Sequence, residues 1–479
     1  MKFSELKVIT PYLELPQLFY NLVEPTPLQK PYLMATSLAC AKLLGVEDAL
    51  EADEKLLAIV NGSEKLEGST PFAMCYAGHQ FGYFVPRLGD GRAINLGKVN
   101  GQNLQLKGSG LTLYSREGDG RAVKRSSIRE FLMSEAMYGL GIETSRALAL
   151  IGSETDVARE RWEKGAIVLR VSPTWIRFGT FEYFKTRRKY DMLENLADYV
   201  IEESFPELQD QEDLYFKMFT KVVHNSAKTV ARWQSIGFNH GVMNTDNMSI
   251  DGRTIDYGPF AMLDDYEANY ICNHTDIEGR YSFSNQPPIM QWNLSILANA
   301  LSPLINIIKM EKVVEKDFVT VYESEYLQLM KNKIGLFEED ENDMALIRWL
   351  LSALENSVVD YSRFFRLLSR YDGDKTALLE LCEYQKPLQE WLEGYDARLT
   401  KEKLLQKERS KMMLGVNPKY VLKNHILQQA IEKEEAGDFS MIKDLLKVAL
   451  DPFSEHEELE YLNVPTPRSH KNLKLSCSS

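Results

Sequence analysis

The sequence lacks the features that would tie it to a membrane, a nucleic acid or an oxidised compartment. No apolar run approaches the roughly 18–20 residues that span a bilayer. Lys and Arg number 56 against 69 Asp and Glu, a formal net charge of -13, so the excess of cations that a broad nucleic-acid or membrane footprint needs is missing. The opening stretch MKFSELKVITPYLELPQL has neither the apolar core of a secretion signal nor the Arg-rich, acid-poor makeup of a transit peptide. A cytoplasmic protein is therefore expected, with no membrane or nucleic-acid partner. Cysteine is scarce: Cys40, Cys75, Cys272, Cys382 and Cys477, with no CxxC pair and no histidine at zinc-ligand spacing. Neither a disulfide framework nor a structural zinc site is expected. There is no nucleophile elbow, HExxH, EF-hand loop or GxGxxG, and Gly91-to-Lys98 misses a Walker A by one spacer and by its Ser/Thr. No solenoid repeat or coiled coil is visible, so a monomer is expected.

What is present belongs to a folded protein: 479 residues, 44% hydrophobic and 26% charged. Residues 1–70 read as an N-terminal extension of helices and loops punctuated by Pro16, Pro25, Pro27 and Pro31. Glycines then become dense and short alternating segments appear. Leu104-Gln105-Leu106-Lys107 puts two leucines on one face of a strand. Ser126–Leu140 reads as a helix and Gly165–Pro173 as a strand. A long amphipathic helix follows over about 211–236, with Leu214, Met218, Val222, Val230 and Trp233 on one stripe. After it, Met248–Ile250 and Arg253–Asp256 read as two short strands around the turn pair Asp251-Gly252. The rest is mostly helical. This order predicts an α+β, protein-kinase-like fold of two lobes: a sheet-containing N-lobe over 71–185, a mainly helical C-lobe over 186–455, and a tail over 456–479. A Rossmann domain would alternate strand and helix repeatedly instead.

The strongest chemical signal is His240-Gly-Val-Met-Asn-Thr-Asp-Asn247 followed by Asp256-Tyr257-Gly258. Phosphate-transfer enzymes hold a hard divalent cation through oxygen ligands, and kinases use a catalytic-loop Asn and the Asp of a DFG triplet. His240 and Asn247 stand seven apart, as in HRDxxxxN, which points to Asn247 and Asp256 as a metal pair. Turn residues at a hairpin are the plainer alternative. The kinase base position, two after His240, is Val242, which cannot accept a proton; Asp246 is the nearest carboxylate in the loop. Lys107 could clamp phosphate oxygens with Glu130 as its partner, although Ser127-Ile-Arg-Glu130 is equally a capping box. Gly89-Asp90-Gly91-Arg92 and Asp119-Gly120-Arg121 would let backbone N–H groups approach phosphates, or simply make tight turns. Arg170 interrupts an apolar strand, on the face of Val168 and Ser172 and opposite Ile167, Leu169 and Val171. With Arg177 it could hold a triphosphate or form a structural salt bridge. His79 reads as a packed or capping histidine, because no carboxylate partner is identifiable.

The blocks YAGHQFGYFVPRLGDGRA, LQLKGSG, REGDGRAVKRSSIREFLMSEAM, LRVSPTWIRFGTFEYF, HGVMNTDNMSIDGRTIDYGPFAMLDDY and NPKYVLKNHILQQAI closely resemble the selenoprotein O family (SelO, also called YdiU), in matching order from about residue 70 onward. The resemblance implies a pseudokinase that binds ATP in reversed orientation and transfers AMP to Ser, Thr or Tyr hydroxyls of proteins. UMP transfer with manganese is attributed to bacterial members. It implies Asp246 as proton acceptor and Asn247 and Asp256 as ligands of Mg²⁺ or Mn²⁺. Lys107 would be the phosphate lysine, paired with Glu130, and Gly89, Gly91, Arg92, Asp119, Gly120, Arg170, Arg177 and Asp256 would contact ATP. Some members carry selenocysteine near the C-terminus, where this chain has Cys477; Cys272 and Cys477 are a candidate redox pair. A conventional protein phosphotransferase, which Val242 disfavours, and an inactive pseudokinase scaffold are the competing expectations.

Overall fold

The fold was obtained as a computed structural model, which describes residues 1–471, 473 and 475. In chain order its strands are β1 (Tyr20–Leu22), β2 (Tyr32–Thr36), β3 (Phe72–Met74), β4 (Gly78–Gln80), β5 (Tyr83–Val85), β6 (Ala93–Val99), β7 (Gln102–Lys107), β8 (Ala122–Val123), β9 (Arg146–Ala158), β10 (Trp162–Ser172), β11 (Phe238–Asn239) and β12 (Ala261–Met262). The helices that position the site are α1 (Leu38–Ala41), α2 (Leu56–Val60), α3 (Lys124–Gly139), α4 (Phe178–Thr186), α5 (Tyr190–Ser204), α6 (Leu214–Ile236) and α7 (Gln286–Leu301). Further helices follow to Leu450. No helix among the described residues is long and apolar enough to cross a membrane.

Eight strands form an antiparallel sheet in the order β1-β3-β6-β7-β10-β9-β2, with β8 also paired to β10. Both faces are covered, which is why β10 is buried from Gly165 to Ser172. Ile167, Leu169 and Val171 pack with Leu104 and Leu106 into one core, whose other wall is Phe3, Leu6, Leu44, Leu56 and Val60. Val168 belongs to the core on the opposite face, with Ile128, Phe131 and Leu132 of α3. The alternation expected of Arg170 therefore holds. The first seventy residues are more than helices and loops. They supply both edge strands, β1 and β2, and cap one face of the sheet. Proline-rich spacing hid these short strands, because each is completed by partners far along the chain: β1 pairs β3 and β2 pairs β9.

Helix α3 begins at Lys124, two residues before the expected start, and α6 at Leu214, after Asp213 in a left-handed conformation. On α6, Met218, Val222, Val230 and Trp233 are buried as the apolar stripe requires. The segment 240–260 is closed off by the short antiparallel pair β11–β12. The hairpin expected at 248–256 is reduced to one bridge, Met248 to Thr254. Its backbone groups turn outward instead: Phe178 N–H donates to Met248 O and Ser145 N–H to Thr254 O, at 3.0 and 2.9 Å. Tertiary partners thus replaced the strand pairing that local turn chemistry favours.

Candidate functional site

The site is a cleft of about 410 Å³ between the sheet and the 240–260 segment. One wall is a loop, residues 108–121, that leaves β7 after Lys107 and returns at β8. Both ends are pinned to neighbouring parts of β10, through Val168–Lys107 and Ala166–Ala122. Glycine is needed in this wall. Gly89 has φ +91° and faces the Tyr114 ring, and Gly120 has φ +70° against the Gly110 backbone, so neither position has room for a Cβ. Gly91 and Arg92 line the same wall. Burial lowers the Arg92 pKa, with Glu130 working against that effect.

Strand pairing puts Lys107 opposite Val168 and Gln105 opposite Arg170, so all four side chains face α3. Glu130 of α3 reaches down between the two cations. Its Oε2 accepts from Lys107 Nζ at 2.6 Å, and its Oε1 accepts from Arg170 Nε. The ion-pair reading of Glu130 is therefore the one realised, and no side-chain cap is made at the start of α3. Burial would raise the Glu130 pKa, but Arg170 and Lys107 outweigh it and hold it low. Lys107 is lowered to about 8, first by burial and then by the Arg170 charge, with Glu130 opposing.

Asp256 lies at the other end of the same network. Arg170 donates to its Oδ1 at 2.7 Å, and Arg177 donates to its Oδ2. Asp256 is held in a left-handed conformation, φ +58°, which a non-glycine residue keeps only under tertiary constraint. Burial works to raise its pKa, yet Arg177, Arg170 and Lys107 drive it well below the usual carboxylate range. Arg177 precedes α4 and also donates to Asp246 O at 2.7 Å, tying the two carboxylate residues together.

Asp246 has the opposite environment. It is 6% exposed. Gln80 Nε2 donates to Oδ2 at 3.2 Å, while Oδ1 is buried against Gly78 with no hydrogen bond among the described residues. Burial raises its pKa to about 7, with the Arg177 charge and the Gln80 bond as partial offsets. Two carboxylates lining one cleft thus sit far apart in acidity, a pattern that separates an acid–base group from a permanently charged one. Val242 lines the cleft as well. His240 does not line the cleft: it is buried, bonded through Nε2 to Ile255 O at 3.0 Å, and its pKa is lowered by burial.

Asn247 donates its amide to Val242 O at 3.0 Å, which leaves the side-chain oxygen as its remaining ligand atom. Asn247 and Asp256 offer oxygen donors, the chemistry a hard divalent cation selects. Asp256 keeps free lone pairs despite its two arginine partners. No group of three or more His, Cys, Asp or Glu poised around one point occurs among the described residues. Such an ion would therefore draw further oxygens from phosphate or water.

Two contacts at or beside the cleft were not found from sequence. Arg159, in the β9–β10 turn, donates to both Asp119 oxygens at 2.8 and 3.0 Å and to Arg121 O at 2.9 Å, fastening the glycine loop. It lies 40 residues from Asp119 in a polar turn, where nothing in the sequence signals the contact. His79, expected to lack a carboxylate, has one: Nδ1 lies 2.6 Å from Glu182 Oε2 of α4, 103 residues along the chain. Cys272 is buried behind the 240–260 segment, with Sγ 2.7 Å from Pro259 O. Cys477 lies outside the described residues.

The family model described as Protein adenylyltransferase SelO matches residues 2–449, well into the N-terminal segment that the motifs alone left out. Among curated relatives, a protein nucleotidyltransferase YdiU of Pseudomonas aeruginosa (strain LESB58) is 47% identical over 470 residues, 96% of each chain. Those of Photobacterium profundum and Myxococcus xanthus are each 44% identical, over 99% of both chains.

Proposed function

Because this chain belongs to the SelO family of protein adenylyltransferases, and so is an enzyme that transfers nucleotides to proteins, we propose that it moves AMP from ATP onto Ser, Thr or Tyr hydroxyls of other proteins and releases pyrophosphate. The fold that suits this reading is kinase-like, with the sheet and the helical part as two lobes on either side of the cleft. The Lys107–Glu130 pair between β7 and α3 supports it, since kinases orient their phosphate lysine in the same way.

The observation that carries the proposal is the state of Asp246. The kinase base position is Val242. Asp246, four residues further on, lines the cleft with a pKa near 7, where both its forms are populated at neutral pH. In the proposed step, the acceptor hydroxyl gives its proton to the Asp246 carboxylate as its oxygen bonds to the α-phosphorus. The bond from that phosphorus to the bridging oxygen breaks, and pyrophosphate leaves with the electron pair. Lys107, Arg170 and Arg177 supply positive charge beside the phosphates, and the Gly89–Arg92 and Gly120 backbones let them approach closely. Asn247 and Asp256 would hold Mg²⁺ or Mn²⁺. When bound, the ion neutralises charge that builds on the phosphates.

The test is incubation with an acceptor protein, Mg²⁺ or Mn²⁺, and ATP labelled at the α- or the γ-phosphorus, with α-labelled UTP in parallel. Protein-bound α-label is expected. Bound γ-label would mean a conventional phosphotransferase, and no label would mean a scaffold.

A further inference from the structure

The β4–β5 hairpin lies across the Asp246 segment, and three successive residues of the hairpin each grip one residue of that segment. His79 N–H donates to Thr245 Oγ1 at 2.7 Å, Gln80 Nε2 donates to Asp246 Oδ2 at 3.2 Å, and Phe81 N–H donates to Asn244 Oδ1 at 3.2 Å. Asn244 Oδ1 also accepts from Tyr281 OH at 2.7 Å, and Tyr281 OH accepts from Phe81 N–H at 3.0 Å. Beneath the hairpin, Ala77 N–H donates to Gly179 O of α4 at 2.9 Å, and the His79 ring is held by Glu182 of the same helix. The hairpin is therefore fixed to α4, the helix that starts just after Arg177. It is built like a brace rather than a free flap.

Within this brace Gln80 is the residue that meets the carboxylate. Gly78 has no side chain because a Cβ there would lie 2.6 Å from Asp246 Oδ1. That close approach shuts Oδ1 away from water and from hydrogen-bond donors. Oδ2 is left as the working oxygen, and Gln80, which also lines the cleft, supplies the side-chain hydrogen bond to it. A neutral amide suits this place. It donates to a carboxylate without cancelling its charge, as an arginine would, and without repelling it, as a second acid would.

We propose that Gln80 is a positioning residue for nucleotidyl transfer, holding Asp246 Oδ2 toward the acceptor hydroxyl. This rests on Asp246 being the proton acceptor. Gln80 takes no proton itself; it acts through Asp246.

The test compares Gln80→Leu, Gln80→Glu and Asp246→Asn in the full-length protein, following α-label transfer at saturating ATP, with KM for ATP and Tm measured separately. Gln80→Leu is expected to lower kcat about tenfold. KM for ATP should stay within about twofold, and Tm should stay at the wild-type value. Gln80→Glu, which sets a like charge against Asp246 in place of the amide donor, should lower kcat further. A general packing defect would lower Tm and raise KM as kcat falls, and that result, or an unchanged kcat, overturns the proposal. Gln80→Met, which keeps the side-chain length, gives the same reading if the leucine variant folds poorly. If Asp246→Asn is inactive while the Gln80 variants keep the wild-type kcat, this inference alone fails. If Asp246→Asn retains activity, the base assignment fails and this inference with it.

Discussion

Replacing Asp246 with asparagine should abolish transfer while making the protein more stable at alkaline pH. The carboxyl has a folded pKa of about 7, raised from 3.8 by burial. A carboxylate shifted upward binds its proton more tightly when folded. Its ionisation is therefore a penalty on the folded state that is absent below about pH 4, grows as pH rises through the gap between the two values, and is complete above 7. Three pH units at about 1.36 kcal/mol each give roughly 4 kcal/mol at pH 8. The asparagine side chain would retain the shape and the polar contact of Oδ2 without that penalty. A 479-residue chain unfolds with an entropy of about 1 kcal/mol per degree, so a rise in Tm of roughly 4 °C at pH 8 is expected, vanishing near pH 4. Differential scanning calorimetry of wild type and Asp246→Asn across pH 4–8, beside the α-label assay, checks both halves. A variant that is inactive and equally stable at every pH would show that Asp246 carries no burial penalty. That would remove the reason for its raised pKa.

Asp256→Asn should behave in the opposite sense. Its carboxylate is held well below the usual range, so it contributes stability above about pH 4 that is lost only as pH falls through the lowered value. Removing that charge leaves Arg170 and Arg177 short of an anion, and chemical denaturation at pH 7 should show a loss of about 3–5 kcal/mol along with transfer reduced at least a hundredfold. Glu130→Gln should raise KM for ATP and lower stability, read by nucleotide titration and thermal melts, since Lys107 and Arg170 both depend on that carboxylate. Arg177→Lys should cost more activity than stability. The Arg177 bonds to Asp246 O and Asp256 Oδ2 both leave the outer nitrogen Nη1, a point the shorter lysine side chain does not reach, and a steady-state assay should show a loss of roughly a hundredfold. Gly120→Ala, at φ +70° with the Gly110 backbone against the new methyl, should weaken ATP binding measured by calorimetry while the far-UV spectrum stays unchanged.

Local chemistry settled a good deal in advance. Spacing from His240 to Asn247 and on to Asp256 marked the segment that lines the cleft, and valine at 242 meant that the residue two after His240 takes no proton. Strand period placed Arg170 on the face away from Ile167, Leu169 and Val171, because alternation depends only on backbone geometry. Helix α6 was legible from its stripe for the same reason. What the residues could not decide were the pairings. Glu130 was either a cap or a counter-ion until α3 was laid across β7 and β10. Asp119 and Arg159, His79 and Glu182, and Gln80 and Asp246 are joined across 40, 103 and 166 positions, where no short-range rule applies. The acidities belong to the same class. Asp246 and Asp256 have one side chain and one intrinsic pKa, and only the fold, by burying one with no ion-pair partner among the described residues and setting two arginines against the other, drives them apart.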